Sequence, residues 1–165
     1  MKKAAETLEG LSKGMDWVIT RLVFMLIISM VIVTTLQIIF RVFFTALVWS
    51  EELSRYLLVW STFFAATMAY RRGNHIAITV FINFFKPKVK ALFNILIYLL
   101  SMVFFAIIIR YGWQIIQMQI FQISPAMSLP MKYVYLSIPL SLLVMMLHAI
   151  AGTAREIGVF LGVMD

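Results

Sequence analysis

Long apolar runs, each with at most one charged residue, are the feature that most constrains this 165-residue chain. They cover residues 22–40, 53–70, 91–109 and 133–154. Crossing the ~30 Å hydrocarbon core of a bilayer takes roughly 20 apolar helical residues. Because 63% of the chain is hydrophobic and 13% charged, a water-soluble domain could not cover its surface. The sequence predicts an all-α integral membrane protein, one membrane domain over residues 1–165, with four transmembrane helices at approximately 18–48, 51–70, 91–122 and 132–154.

The positive charges of the short connections predict the orientation. They precede the first span and separate the second from the third, at Lys2, Lys3, Lys13, Arg21, Arg71, Arg72, Lys86, Lys88 and Lys90. The other side carries Arg41, Lys132 and Arg55, with Glu51 and Glu52 beside the last. Since Lys and Arg accumulate in cytoplasmic loops, both termini are predicted to be cytoplasmic.

Two further features concern the third span. Residues 73–90 contain an apolar stretch between basic residues that is too short to span, which predicts an interfacial segment between helices two and three, broken at Pro87. The third helix is predicted to continue through a Gln-rich stretch until Ser124-Pro125. At the standard rise, residues 91–122 would reach about 48 Å, so this helix must tilt strongly or protrude.

The polar residues exclude several functions. The four runs contain no Asp or Glu, which argues against an autonomous ion-coupled exporter. The chain has no cysteine, no Gly-rich phosphate loop and no metal-spaced cluster, so we expect no enzyme activity, no cofactor and no metal site. Its Lys and Arg residues form no cluster on a soluble face, so nucleic-acid binding is not expected. One alternative stays open: His75 and His148, the two histidines, could ligate haem in a membrane-anchor subunit of a redox complex.

The densest polar cluster opens the second span. If Ser50 caps this helix, Glu51 and Glu52 occupy its first turn, and Arg55 lies close enough to pair with either. The cluster is either a charge-balanced helix start or a surface held for a partner subunit. The partner-interface candidates are Trp49, Glu51, Glu52 and Arg55.

The basic residues after the second span also have two interpretations. They either set the topology or contact anionic membrane phospholipid headgroups. The candidates for this inner boundary are Arg71, Arg72, His75, Lys86 and Lys88.

Taken together, the motifs resemble those of one transporter family. They are residues 49–55 (WSEELSR), 72–76 (RGNHI) and 124–126 (SPA), followed by Pro130, Tyr135 and Pro139. In this order over four spans, they resemble the small DctQ-like membrane subunit of tripartite ATP-independent periplasmic (TRAP) transporters, from about residue 18 to 152. Thr79 departs from the pattern, which would place an acidic residue nearby.

The resemblance implies a sodium-coupled symporter in the bacterial inner membrane, importing an organic acid of the C4-dicarboxylate or sialic acid type. A periplasmic substrate-binding protein would capture the substrate, and a large twelve-span subunit would move it across the membrane. The small subunit would brace the large one and help dock the binding protein, without a transport site of its own.

Overall fold

The computed structural model describes residues 2–72 and 87–162, with side-chain environments for 5–72 and 89–162. The helices are α1 (Lys2–Phe43), α2 (Val48–Arg72), α3 (Pro87–Met118), α4 (Lys132–Tyr135) and α5 (Ser137–Phe160). Within these ranges, the one β-type pairing is an isolated antiparallel bridge between Ile123 and Pro130. The predicted all-α class is therefore confirmed. The predicted interfacial segment lies largely outside the described residues, and α3 begins at Pro87.

Helix α1 is longer at its start than the sequence predicted. It runs without a break from Lys2, 42 residues or about 63 Å, and ends at Phe43 instead of near residue 48. The reason is that one side of α1 is buried against the other helices from its start. The buried residues on this side form a stripe: Ala5, Ser12, Asp16, Ile19 and Val23. Their spacing of three, four or seven residues keeps the polar lead and the apolar span on one continuous helix.

Helix α2 begins at Val48, so the prediction that Ser50 caps it is wrong. The Ser50 side chain is buried, and its hydroxyl donates to the backbone carbonyl of Leu47 at 2.7 Å. Glu51 lies in the first turn, as predicted, but Glu52 follows it. Because α2 begins at Val48, both Glu51 and Glu52 are residues of the helix and follow its first residues.

Three of the helical stretches in the described ranges are long and apolar enough to cross a membrane: Ala5–Phe43, Val89–Met118 and Lys132–Phe160. Helix α2, at 25 residues, is long enough to span. It is less apolar than the others because Ser, Thr and Arg side chains interrupt it. The structure therefore supports a multi-pass membrane protein and identifies three of the four predicted spans.

Helix α3 has the predicted length of 32 residues but lies four residues earlier, ending at Met118. The prediction that it continues to Gln122 is wrong, because residues 119–131 fold back as a hairpin. The Ser124 amide donates to the Leu129 carbonyl and the Met131 amide to the Gln122 carbonyl, each at 2.9 Å. The predicted fourth span is divided into α4 and α5 at Leu136, and it extends to Phe160 instead of residue 154.

Helix α5 occupies the centre of the bundle and contacts α1, α2 and α3. One buried cluster joins it to α1 and α2 through Ile19, Val23, Phe64 and Val144. A second joins it to α3 through Phe105, Leu142, Met145 and Ala149. The long helices alternate in direction, which creates two ends. We call the end with residues 44–47 and 119–131 the loop end, and the end with residues 5–20, 70–72 and 148–160 the terminal end.

Candidate functional site

At the loop end, the Glu52 carboxylate holds the hairpin that follows α3. The backbone amides of Ala126 and Met127 donate to its two oxygens, each at 3.0 Å. The Ser124 hydroxyl closes the same turn by accepting from the Leu129 amide at 3.2 Å. Glu52 therefore joins the start of α2 to a segment more than seventy residues later in the chain. Sequence reasoning singled out Glu52 but did not identify these partners.

The neighbouring acidic residue, Glu51, has a different environment. Its carboxylate accepts a hydrogen bond from Arg55 at 2.9 Å, and both side chains are about two-thirds exposed. This is the pairing across one helical turn that the sequence predicted. Trp49, at 40% exposure, lies beside them on the surface of the first turn. The loop end therefore exposes Trp49 and the ion pair of Glu51 with Arg55. Beside them, the Glu52 carboxylate is bound to the hairpin.

At the terminal end, Asp16 of α1 binds both arginines that end α2. Its Oδ2 atom lies 2.7 Å from Arg71 Nη1 and 3.0 Å from Arg72 Nη2. Arg72 also donates to the Thr20 hydroxyl at 2.7 Å. The Asp16 side chain is 11% exposed, so this ion pair is largely withdrawn from water. Arg71 and Arg72 therefore have a structural partner within the chain.

A second polar contact lies beside this ion pair. The Ser12 hydroxyl lies 2.7 Å from Nδ1 of His148, a histidine of α5 that is 4% exposed. Sequence reasoning missed Asp16 and Ser12. Their positions in the sequence could have identified them, because their spacing places both on the same side of α1 as the buried residues Ala5, Ile19 and Val23. Polar residues on an apolar stripe indicate partners on the facing helices.

The other residues that the sequence predicted at the inner boundary lie outside the part of the chain that the structure describes. His75 and Lys86 lie in the segment 73–86, and the side chain of Lys88 lies outside the described side chains. The pairing of His75 with His148 is therefore not part of the described structure. The described residues contain no cluster of three or more His, Cys, Asp or Glu side chains suited to a metal ion.

A third polar feature lies on the outer surface of α3. Arg110, Tyr111 and Gln114 are all exposed and line a shallow groove along this helix. Arg110 lies eight residues, about 12 Å, before the end of α3 at Met118. The surrounding surface is strongly apolar. A guanidinium at such a place on a spanning helix either extends to the lipid headgroups beyond the helix end or contacts a partner.

The comparison with known families decides among the sequence-based alternatives. The model of the DctQ component of tripartite ATP-independent periplasmic transporters matches residues 30–158. The chain belongs to this family. DctQ proteins are transporter components and not an enzyme family, so the match supports the transport hypothesis over the haem-anchor alternative. It also confirms the resemblance found in the motifs.

Three relatives place this DctQ chain more closely. It is 28% identical over 86 residues to a putative TRAP transporter small permease protein of Haemophilus influenzae, which covers 52% of this chain and 53% of the relative. It is 27% identical to the sialic acid TRAP transporter permease protein SiaT of H. influenzae, over 67% of this chain and 18% of that protein. It is 26% identical to the isethionate TRAP transporter permease protein DctMQ of Oleidesulfovibrio alaskensis, over 68% of this chain and 19% of that protein. The chain thus spans about half the length of the small permease and under a fifth of the other two.

Proposed function

We propose that this DctQ chain is the small membrane subunit of a TRAP transporter, which braces a large transport subunit and helps dock a periplasmic substrate-binding protein. The observation that carries the proposal is the alignment with less than a fifth of two longer TRAP permeases. The remainder of those permeases is the counterpart of the large subunit with which this chain associates.

The bracing surface is drawn from the exposed apolar residues of two helices, α1 and α3. On α1 it includes Ile28, Val31, Ile32, Leu36, Ile39 and Val42, and on α3 it includes Leu96, Leu100, Val103, Phe104 and Ile107. Lipid tails would cover most of such a surface, but they cannot hydrogen-bond Arg110. A carboxylate or backbone carbonyls of the large subunit would satisfy its guanidinium. We therefore assign the Arg110 side of α3 to the contact with the large subunit.

The docking surface is the loop end, which is periplasmic in the proposed topology of four spans with cytoplasmic termini. Glu51, Arg55 and Trp49 are exposed there, beside the hairpin fixed by Glu52. Fusions of alkaline phosphatase to the loop at residue 46 and of green fluorescent protein to the carboxyl terminus test the orientation. Activity of the first and fluorescence of the second are expected. Fluorescence lost at the carboxyl terminus would contradict it.

The transported substrate is an organic anion imported with sodium. The names of two relatives specify sialic acid and isethionate, a carboxylate and a sulfonate, and both are small acids. We place substrate choice in the large subunit and the binding protein. Uptake of labelled acids by vesicles containing the complete complex, with and without a sodium gradient, tests the coupling.

The first test of the assignment is purification of the tagged chain from its native membrane in mild detergent. A stoichiometric large polytopic subunit is expected among the proteins identified by mass spectrometry. A haem-containing or redox partner, or the chain alone as a homo-oligomer, would refute the proposal.

Charge changes at α3 and the loop end separate the two proposed contacts. Arg110→Glu should reduce recovery of the large subunit, whereas Arg110→Lys should retain it. At the loop end, the double variant Glu51→Arg with Arg55→Glu keeps an ion pair within α2 while exchanging the two surface charges. It should lower uptake without lowering recovery of the large subunit. Normal uptake with the exchanged pair would exclude it from docking.

A further inference from the structure

A cleft at the terminal end contains more positive charge than the chain itself neutralises. It has a volume of about 250 Å³ and lies among α1, α2, α3 and α5. Arg71, Arg72 and Arg155 line it, together with Glu9. Glu9 is paired with Lys13 at 2.9 Å, and Asp16 with Arg71 and Arg72. Arg155 makes no ion pair with any described residue. Glu9 interacts electrostatically with Arg155 without forming an ion pair, so the three arginines of the lining leave the cleft with a net positive charge.

Buried His148 supplies the second observation. It lines the same cleft, is 4% exposed and uses Nδ1 for Ser12. Its other ring nitrogen, Nε2, is buried and has no hydrogen-bond partner among the described residues. When Ser12 donates to Nδ1, Nε2 carries the proton and becomes a donor without an acceptor. A buried donor of this kind costs free energy unless an acceptor reaches it.

The shape of the cleft depends on a close contact between α3 and α5. A Cβ atom at Gly152 would lie 2.5 Å from Cζ of Tyr98, so the aromatic ring packs directly on the backbone of α5. Both residues line the cleft. The cleft holds several times the ~30 Å³ that one water occupies in the liquid. The exposed side chains of Arg72 and Arg155 lie at its edge, which gives access from the membrane surface.

We propose that this cleft binds a phosphate group, carried by a phospholipid headgroup or by a free phosphate ion, with Arg155 and His148 as its donors. A phosphate oxygen accepts from the Arg155 guanidinium with the geometry that favours paired, charge-assisted hydrogen bonds. Nε2 of His148, which has almost no accessible surface in this structure, donates to a second oxygen after side chains around the cleft shift to admit it. Arg71 adds positive potential while it remains bound to Asp16. The site belongs to this chain alone and does not depend on the proposed transport role.

Calorimetric titration of the full chain, purified with any subunit that accompanies it, tests the site in phosphate-free buffer. The probes are dihexanoyl phosphatidylglycerol below its micelle concentration and inorganic phosphate. Binding of both identifies a site open to either source. Binding of the lipid alone identifies the headgroup, and binding of phosphate alone identifies the free ion. Binding of neither overturns the proposal.

The variants assign the binding to these residues. Arg155→Gln should weaken binding about tenfold, as expected for losing a hydrogen bond to a charged group, and Arg155→Lys should recover part of it. His148→Gln should weaken it as well. Arg41→Gln is the matched control, since Arg41 is an exposed arginine at the opposite end of α1 and should leave the affinity within about twofold. Because Arg155 is exposed, its replacement should not disturb folding. Unchanged affinity in Arg155→Gln would overturn the proposal.

Discussion

Replacing Asp16 by asparagine should destabilise the bundle, because it removes a carboxylate that both terminal arginines of α2 contact. Asparagine has nearly the same shape but no charge, so Arg71 loses an ion pair at 2.7 Å and Arg72 one at 3.0 Å. The two losses are unequal. The side chains of Arg71 and Asp16 are 23% and 11% exposed, whereas that of Arg72 is 53% exposed.

The magnitude follows from this difference in exposure. A hydrogen-bonded ion pair that is mostly withdrawn from water contributes about 2 kcal/mol, whereas a half-exposed one contributes less than about 1 kcal/mol. Asp16→Asn should therefore lower the free energy of unfolding by about 2–3 kcal/mol. The loss should be smaller than the ~3–5 kcal/mol found when a fully buried pair is broken, because water reaches Arg72.

Unfolding in mixed micelles by increasing fractions of sodium dodecyl sulfate, followed by tryptophan fluorescence and circular dichroism, measures this loss. Glu51→Gln is the matched control, since its pair with Arg55 is about two-thirds exposed and should contribute less than about 1 kcal/mol. In Arg71→Gln, the further change Asp16→Asn should cost less than it does in the parent chain. If Asp16→Asn and Glu51→Gln unfold at the same detergent fraction, the ion pair does not stabilise the terminal end.

Two further predictions concern the loop end and the α3–α5 contact. Glu52→Gln leaves one acceptor oxygen for two backbone amides, so one amide of the hairpin at residues 126–127 should exchange hydrogen at least several-fold faster, whereas Glu51→Gln should leave both unchanged. Equal exchange in the two variants would mean that Glu52 does not hold the hairpin. Gly152→Ala should displace the Tyr98 ring and lower the midpoint of thermal unfolding, whereas Gly112→Ala should be tolerated because its Cβ would meet its nearest neighbours at 3.7–3.8 Å. A lower midpoint in Gly112→Ala than in Gly152→Ala would contradict this difference in packing.

Two of the motifs that carry the family resemblance lie where local sequence and local structure coincide. Residues 49–55 lie at the start of α2, and Ser124 and Pro125 lie in the turn that follows α3. The ion pair of Glu51 with Arg55 joins residues one helical turn apart, so the sequence alone predicted it correctly. Reasoning from local sequence misplaced the helix ends. Where a helix ends depends on whether its next turn would pack against another part of the protein, which local sequence does not specify.

Long-range contacts were not predictable in this way. Glu52 was expected to pair with Arg55 or to face a partner, but its acceptors are used by amides of residues 126 and 127. Arg71 and Arg72 were expected to set topology or to contact lipid, yet Asp16 lies within hydrogen-bond distance of both. The described part of the chain therefore uses these charges to join segments that are distant in sequence.

The sequence by itself determined that this chain forms long apolar helices, because the cost of exposing such runs to water leaves the membrane as their solvent. It also determined the family, through short motifs. Only the tertiary structure decided which polar groups face one another: Asp16 with Arg71 and Arg72, Ser12 with His148, and Glu52 with the hairpin. The physical reason is that hydropathy depends on each residue separately, whereas an ion pair between helices depends on their relative rotation and height, which the packing of α5 against α1, α2 and α3 establishes.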